Sequence, residues 1–307
     1  MEIITDLSKC ELHMETAVAI GKFDGLHKGH RRLLQEILYK KKDGLKACVF
    51  TFDPSPAVFF GLADDKELMT KEEKRKALCD MGVDVLVEYP MNAKNAAVSP
   101  YNFVKELLAE GLHVKFIAAG RDVSFGDKGS GNAQLLEECS KELGYELKLI
   151  DKVMLEGTEI SSSLVRKQVE AGNMEYVTNL LGEPYTVSGE VKHGRALGRK
   201  LGMPTMNLLP PNEKLLPPLG VYYSQVSYEG NLYPAISNVG YKPTVSQEKV
   251  LGVETYLYDF DKEIYGEDIS VSLLAFKRPE MRFESVKELK EQMERDILDG
   301  KEYYFSK

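Results

Sequence analysis

The sequence predicts an α/β chain in two parts. An N-terminal domain holds a parallel sheet between layers of helices, and a small antiparallel β-barrel with a C-terminal helix follows. Three observations carry this. Short apolar runs alternate with amphipathic stretches as far as Leu181. Past Gly182-Glu183-Pro184 the runs are mostly strand-like and are joined by turn residues. A single helical stretch, 285–298, comes last. The change of pattern places domains at 1–182 and 183–307.

Taken in order, the first part has strand candidates at 16–20, 45–52, 84–89, 114–119 and 145–153. Helical stretches at 31–41, 71–81, 101–109 and 132–143 lie between them. Short apolar strands alternating with amphipathic helices imply a parallel sheet covered on both faces. Such sheets bind ligands beyond the carboxyl ends of their strands. The second part has strand candidates at 185–191, 221–228, 232–237, 253–260 and 269–277, with Glu229-Gly230-Asn231 as a hairpin turn. Many short strands with turn signals imply a small barrel.

Composition narrows the function. No run of eighteen apolar residues predicts a membrane span, and the N-terminus lacks the basic-then-apolar order of a signal peptide. Cys10, Cys48, Cys79 and Cys139 form no Cys-x-x-Cys pair, so reduced thiols in a cytoplasmic protein are expected. A formal charge of −8 argues against nucleic-acid binding. A monomer or weak homo-oligomer is expected.

The stretch Gly21-Lys22-Phe23-Asp24-Gly25-Leu26-His27-Lys28-Gly29-His30 follows the first strand candidate and leads into a helix starting near His30. Strand, glycine turn and helix N-terminus suit a phosphate. His27 and His30, three apart in a first helical turn, can flank a phosphorus gaining negative charge. On spacing alone, two surface histidines beside an ordinary turn explain the stretch equally well. No further Cys, His or carboxylate completes a zinc ligand set.

Four further stretches carry chemistry. Thr51-Phe52-Asp53-Pro54-Ser55-Pro56 closes the second strand, where the prolines stop and stiffen it. Gly120-Arg121-Asp122-Val123-Ser124-Phe125-Gly126 follows another strand, and Asp122 can accept hydrogen bonds there. Ile160-Ser161-Ser162-Ser163-Leu164-Val165-Arg166 puts hydroxyls at a helix start with an arginine one turn on. A serine cap with a surface arginine is the plainer reading. In the second part, 193–207 contains Gly194, Gly198, Lys200, Gly202, Thr205 and Asn207. Its glycines and basic residues suit a phosphate tail, and its Thr and Asn oxygens suit Mg²⁺. Its spacing is not that of a P-loop.

Together these motifs resemble the bacterial bifunctional riboflavin kinase/FAD synthetases. Gly-x-Phe-Asp-Gly-x-His-x-Gly-His, Phe-x-Pro-x-Pro, Ile-Ser-Ser-x-x-x-Arg and Gly-x-x-x-Gly-Arg-x-Leu-Gly-x-Pro-Thr-x-Asn follow one another in the family's order. Gly220-Val221-Tyr222, Ser237-Asn238-Val239-Gly240, Pro243-Thr244, Val253-Glu254 and Tyr265-Gly266 continue the match. The sequence departs from the family at Ser55, where His is frequent, at Val123, usually aromatic, at Ser163, usually Thr, and at Met206, usually Ala.

The resemblance implies a Rossmann-like nucleotidyltransferase domain followed by a riboflavin kinase barrel. Riboflavin and ATP would yield FMN, then FMN and ATP would yield FAD and pyrophosphate, with Mg²⁺ as cofactor. It implies catalytic roles for His27, His30, Arg166 and Glu254, the last as base. Nucleotide binding would fall to Gly21, Phe23, Asp24, Gly25, Asp122, Ser161, Ser162, Ser163, Gly194, Gly198, Lys200 and Gly202. Flavin binding would fall to Phe52, Pro54, Phe125 and Arg278, and the metal to Thr205 and Asn207. Two alternatives stay open: an FMN adenylyltransferase with an inactive kinase-like barrel, and a non-catalytic flavin sensor.

Overall fold

Residues 1–6, 14–194, 197–243 and 249–305 are described in the computed structural model of the chain; the side chains of residues 197, 200, 242, 243 and 249 are not. Cys10, Arg195, Ala196 and Thr244 therefore lie outside the described residues.

The first six strands are β1 (Glu2–Ile4), β2 (Thr16–Ile20), β3 (Lys46–Asp53), β4 (Val85–Pro90), β5 (Val114–Gly120) and β6 (Glu146–Ile150). They form one parallel sheet in the order β1-β4-β3-β2-β5-β6. From β2 the chain winds to β3 and β4 on one side, then to β5 and β6 on the other. The order therefore reverses beside β2, which opens a crevice at the carboxyl edge between β2 and β5.

Strand alternation serves two cores. Val18 and Ile20 join Cys48, Phe50, Phe103 and Leu136 on one face. Ala17 and Ala19 join Ala47, Leu34 and Leu78 on the other. The helices that cover these faces are α1 (Lys28–Tyr39), α2 (Lys71–Asp80), α3 (Phe103–Gly111) and α4 (Ala133–Leu143).

Several boundaries differ from the sequence pattern. Helix α1 starts at Lys28, because His27 caps it. Helix α3 is π-helical rather than α. The last strand of the sheet ends at Ile150, and a separate hairpin, β7 (Met154–Leu155) with β8 (Thr158–Glu159), follows. Strand β1 has too few residues to show a period. Helices α5 (Ser162–Glu170) and α6 (Met174–Leu181) come next.

The second sheet contains β9 (Tyr185–Glu190), β10 (Met206–Leu208), β11 (Gly220–Tyr228), β12 (Asn231–Pro243), β13 (Lys249–Leu257) and β14 (Asp268–Pro279). It is antiparallel, in the order β10-β13-β12-β11-β14-β9. The edges meet where the Lys192 amide donates to the Asn207 carbonyl at 2.8 Å, which closes the sheet on itself. A buried hydroxyl ladder fixes register: Ser224 to Ser237 and Ser237 to Thr255 are each 2.8 Å apart.

Helix α7 (Val286–Phe305) runs past the expected 298, because its last turn is bound to the barrel. Tyr303 stacks on Tyr223 at 4.1 Å, and the Tyr304 hydroxyl donates toward the Ser224 and Ala235 carbonyls.

By compactness the chain divides into Met1–Ser162 and Ser163–Lys307. The sequence pattern changes later, after 182. The difference is α5 and α6, and α6 packs on β14 and β9.

Candidate active sites

The stretch after β2 turns back sharply because it buries two of its own side chains. Phe23 and Leu26 are fully enclosed, and both take positive φ, 50° and 45°. Between them Gly25 has φ +84°, and a Cβ there would stand 2.7 Å from Leu68 Cδ1. Only glycine meets both demands.

Hydrogen bonds fix the turn from three sides. The Gly21 amide donates to the Phe50 carbonyl at 3.1 Å. The Leu68 amide donates to Asp24 Oδ1 at 2.8 Å, and the Ser162 hydroxyl to the Asp24 carbonyl at 2.9 Å. Asp24 thus ties the turn to the segment before α2 and to the start of α5.

His27 sits just outside α1, with ψ 167°, and its Nδ1 accepts the His30 amide at 3.4 Å. That bond leaves the ring proton on Nε2. The two imidazoles stack with centroids 3.8 Å apart, and Phe23 packs on His30 at 5.1 Å. His30 Nδ1 is buried and meets no hydrogen-bond partner among the described residues.

Burial pushes His27 down to about 4. Burial also takes His30 well below its ordinary value, with the charges of His27 and Lys74 adding to the effect. Both rings are therefore neutral near pH 7 and can each donate one N–H to an anion.

The neighbouring loops are less uniform. Phe52 is half-buried at the end of β3, stacked toward Phe103 at 6.3 Å, and Pro54 follows it across a cis peptide bond from Asp53. Phe125 is 2 % exposed and lies against Phe103 at 5.1 Å, so its ring belongs to the core behind Phe52. Val123 packs against that same core. Asp122 is exposed after β5, 3.4 Å from Lys152 Nζ. Ser161 precedes α5, Ser162 opens it and Ser163 is exposed. Arg166, four residues past Ser162, shares a helix face with it.

In the barrel, strand register assembles the site. Glu254 in β13 is paired with Asn207 of β10 on one side and Asn238 of β12 on the other. All three are half-buried. The Thr205 hydroxyl donates to Glu254 Oε1 at 2.7 Å.

The glycine-rich segment folds over this row. A Cβ on Gly194 would stand 2.4 Å from Asn207 Nδ2, so the backbone lies directly on the amide. The Met203 amide donates to the Gly198 carbonyl at 2.8 Å, and Gly202 completes the turn. Lys200 ends the one-turn helix Leu197–Lys200; its side chain lies outside the described residues.

Arg278 grips Asp296 of α7 with Nε at 3.0 Å from Oδ1 and Nη2 at 2.5 Å from Oδ2, and Asp296 is 4 % exposed. The arginine is thus engaged in holding the closing helix.

Two family models match in succession: FAD synthetase over residues 9–164 and riboflavin kinase over residues 181–304. The chain is 33 % identical over 303 residues to a bifunctional riboflavin kinase/FMN adenylyltransferase of Listeria monocytogenes, covering 98 % of this chain and 94 % of that one. It is 36 % identical over 290 residues to the Escherichia coli protein of the same description, covering 94 % and 92 %. The chain belongs to the bifunctional riboflavin kinase/FMN adenylyltransferase family. A solved Streptococcus pneumoniae structure described as a macrolide-efflux protein is also similar, with a TM-score of 0.84 and 28 % identity over 97 % of this chain and 98 % of that one. No described helix of the present chain is long and apolar enough to cross a membrane.

Membership in the riboflavin kinase/FMN adenylyltransferase family leaves residues that sequence reasoning assigned no role. Asn238 is adjacent to Glu254 only through β pairing. Lys74 and Asp296 are buried charges on helices that read as ordinary amphipathic stretches. A charged residue at a helix position due for burial is the one signal the sequence carried for them.

Proposed function

We propose that this chain makes FAD in two steps, one in each unit. The barrel phosphorylates riboflavin to FMN with ATP, and the parallel-sheet unit adenylylates FMN to FAD with release of pyrophosphate. The observation that supports the proposal is the presence of two clusters of phosphate-compatible side chains under two successive family matches. These are the His27–His30 stack at the carboxyl edge of β2 and the Thr205–Asn207–Glu254 row in the barrel.

In the barrel, Glu254 takes the proton of the ribityl 5′-hydroxyl as that oxygen attacks the γ-phosphorus of ATP and ADP leaves. Thr205, by donating to Glu254, keeps the carboxylate aimed. Oxygens of Thr205 and Asn207 beside one carboxylate fit Mg²⁺, which favours hard donors and shares its shell with phosphates. When bound there it would neutralise phosphate charge. Gly194, Gly198, Gly202 and Lys200 line the phosphate tail. Arg278 serves the flavin side through the helix it anchors.

In the first unit, a phosphate oxygen of FMN attacks the α-phosphorus of ATP. The phosphorus–oxygen bond to the β-phosphate breaks and its electron pair leaves on pyrophosphate. His27 donates from Nε2 and His30 from its ring into the phosphate site, and Ser161, Ser163 and Arg166 take the phosphate roles that the resemblance implies for them. Ser162 and Asp24 hold the turn, while Gly21, Phe23 and Gly25 shape it. Asp122 faces the nucleotide. Phe52 and Pro54 face the flavin, with Phe125 supporting from the core. No covalent enzyme intermediate is needed, since placement and charge suffice.

Chromatography of products from riboflavin, ATP and Mg²⁺, then from FMN, ATP and Mg²⁺, tests the proposal. FMN followed by FAD is expected from riboflavin, and FAD from FMN. FAD from FMN with riboflavin untouched would reduce the barrel to a passenger. Bound flavin without product would indicate a sensor. We also propose a cytoplasmic setting and a monomer or weak homo-oligomer, to be tested by fractionation and sedimentation.

A further inference from the structure

Helix α2 begins at the carboxyl edge of the sheet. Its start is fixed by a capping box in which the Glu73 amide donates to Thr70 Oγ1 and the Thr70 amide to Glu73 Oε2. The helix buries two side chains, Lys74 and Leu78, one turn apart on the same face. Leu78 packs in the core that also holds Phe23 and Leu26 of the histidine turn. Lys74 lies one turn nearer the edge at which that turn stands. The segment leading into α2 is fastened to the turn, since the Leu68 amide binds Asp24 and its side chain fills the space over Gly25.

The four cations of α2 are unequal, and Lys76 pairs with Asp80 at 2.7 Å. Lys71 pairs with Asp53 at 2.7 Å. Arg75 forks onto the buried Glu88. Lys74, only 7 % exposed, has no hydrogen bond or ion pair to its ammonium among the described residues. Unpartnered, yet not among the fully buried polar atoms, the ammonium keeps an opening to solvent through which an anion can reach it. Its charge acts on two neighbours, His30 and Glu67. Burial pushes the Glu67 carboxyl up and outweighs Lys74, which draws it down. His30, with an unpartnered nitrogen, is on the phosphate side.

We propose that Lys74 is a third cationic group of the adenylyl-transfer site, receiving the β- and γ-phosphates of ATP. The inference rests on the reading that the His27–His30 turn holds ATP. During transfer the bond from the α-phosphorus to the bridging oxygen breaks and a bond to the FMN phosphate oxygen forms. Negative charge collects on the departing pyrophosphate. An ammonium there stabilises the leaving group and retains the product. The competing explanation is packing alone, with the lysine stem filling core space and its tip reaching water.

Lys74→Met keeps the stem and removes the charge, and Lys74→Arg keeps the charge. The readouts are FAD formation from FMN, inhibition by added inorganic pyrophosphate, and FMN formation by the same molecules. With Lys74→Met, FAD formation should fall roughly 10²-fold. Pyrophosphate inhibition should weaken in parallel, while FMN formation and the KM for FMN stay unchanged. Lys74→Arg should restore much of both losses. Wild-type FAD formation and pyrophosphate inhibition in Lys74→Met would overturn the proposal alone. Equal loss in both variants, with a lowered unfolding temperature, would overturn it in favour of packing. A wild-type protein that makes no FAD would instead overturn the underlying reading.

Discussion

On the proposed reading, the two units hold phosphate by different constructions. In the parallel-sheet unit the key groups sit on one continuous turn, His27 to His30, where a strand ends and a helix begins. In the barrel they come from separate strands, with Thr205 and Asn207 brought to Glu254 by pairing across about fifty residues of chain. The first construction uses neutral, desolvated imidazoles and helix-start amides. The second uses a carboxylate with a hydroxyl and amides beside it. A parallel sheet gathers its strand ends along one edge, so a short turn can carry a site. An antiparallel barrel offers its faces, so a site must be assembled residue by residue across the strands.

The sharpest way to break the comparison is to disable each unit separately. Glu254→Ala should cut FMN formation roughly 10²–10⁴-fold, the range for a general base. FAD formation from supplied FMN should persist. An unchanged FMN rate removes Glu254 as the base.

The reciprocal change, His30→Ala, should lower adenylylation roughly 10²–10³-fold and leave FMN formation alone. Equal loss of both activities would mean that the two constructions are not independent.

The contrast extends to acid. His27 has a folded value of about 4 against 6.5 when exposed, so the unfolded chain binds more protons between these limits. The first unit should keep its full stability above pH 6.5 and lose it progressively as pH falls toward 4. The His27 contribution is about 3 kcal/mol, at roughly 1.4 kcal/mol per pKa unit. Urea unfolding followed at pH 7 and pH 4.5 measures it, and His27→Asn should flatten the difference. A profile equally steep in that variant would assign the acid sensitivity elsewhere.

The smallest effect sharpens the picture of the turn itself. Ser162→Ala removes the bond to the Asp24 carbonyl and should cost about 1 kcal/mol, or about fivefold in adenylylation. An effect confined to FMN formation would contradict the placement.

The same contrast explains what could be read from sequence. The fold class, the strand and helix alternation and the histidine turn were visible because their causes are local: period, glycine spacing and a helix start. Even there, the capping role of His27 was not visible, since it depends on where the first helical residue falls. Glu254 was reached only by resemblance, because nothing near it in the chain distinguishes it from a solvent-facing strand carboxylate. Phe125 and Arg278 read as flavin contacts, yet one ring lies in the core and one guanidinium grips Asp296. Aromatic and arginine residues serve packing and binding alike, and only partners separate the two. Asn238 stood only within a matching run and Lys74 only as a charge at a helix position due for burial, since their settings arise from strand pairing and from which helix face is covered.

The Asn207–Glu254–Asn238 row imposes a counting rule on inheritance. Successive strand side chains point to opposite faces. The residues beside Glu254 are Val253 and Thr255, both enclosed, and Thr255 belongs to the hydroxyl ladder. A one-codon insertion or deletion absorbed by sliding β13 would turn the carboxylate inward and a ladder residue outward, removing the proposed base and the register together. A two-codon slip restores the face but displaces the carboxylate by roughly 7 Å. Length changes next to Glu254 therefore keep the carboxylate on its face only where a loop, or a bulge such as those between β11 and β14, absorbs them.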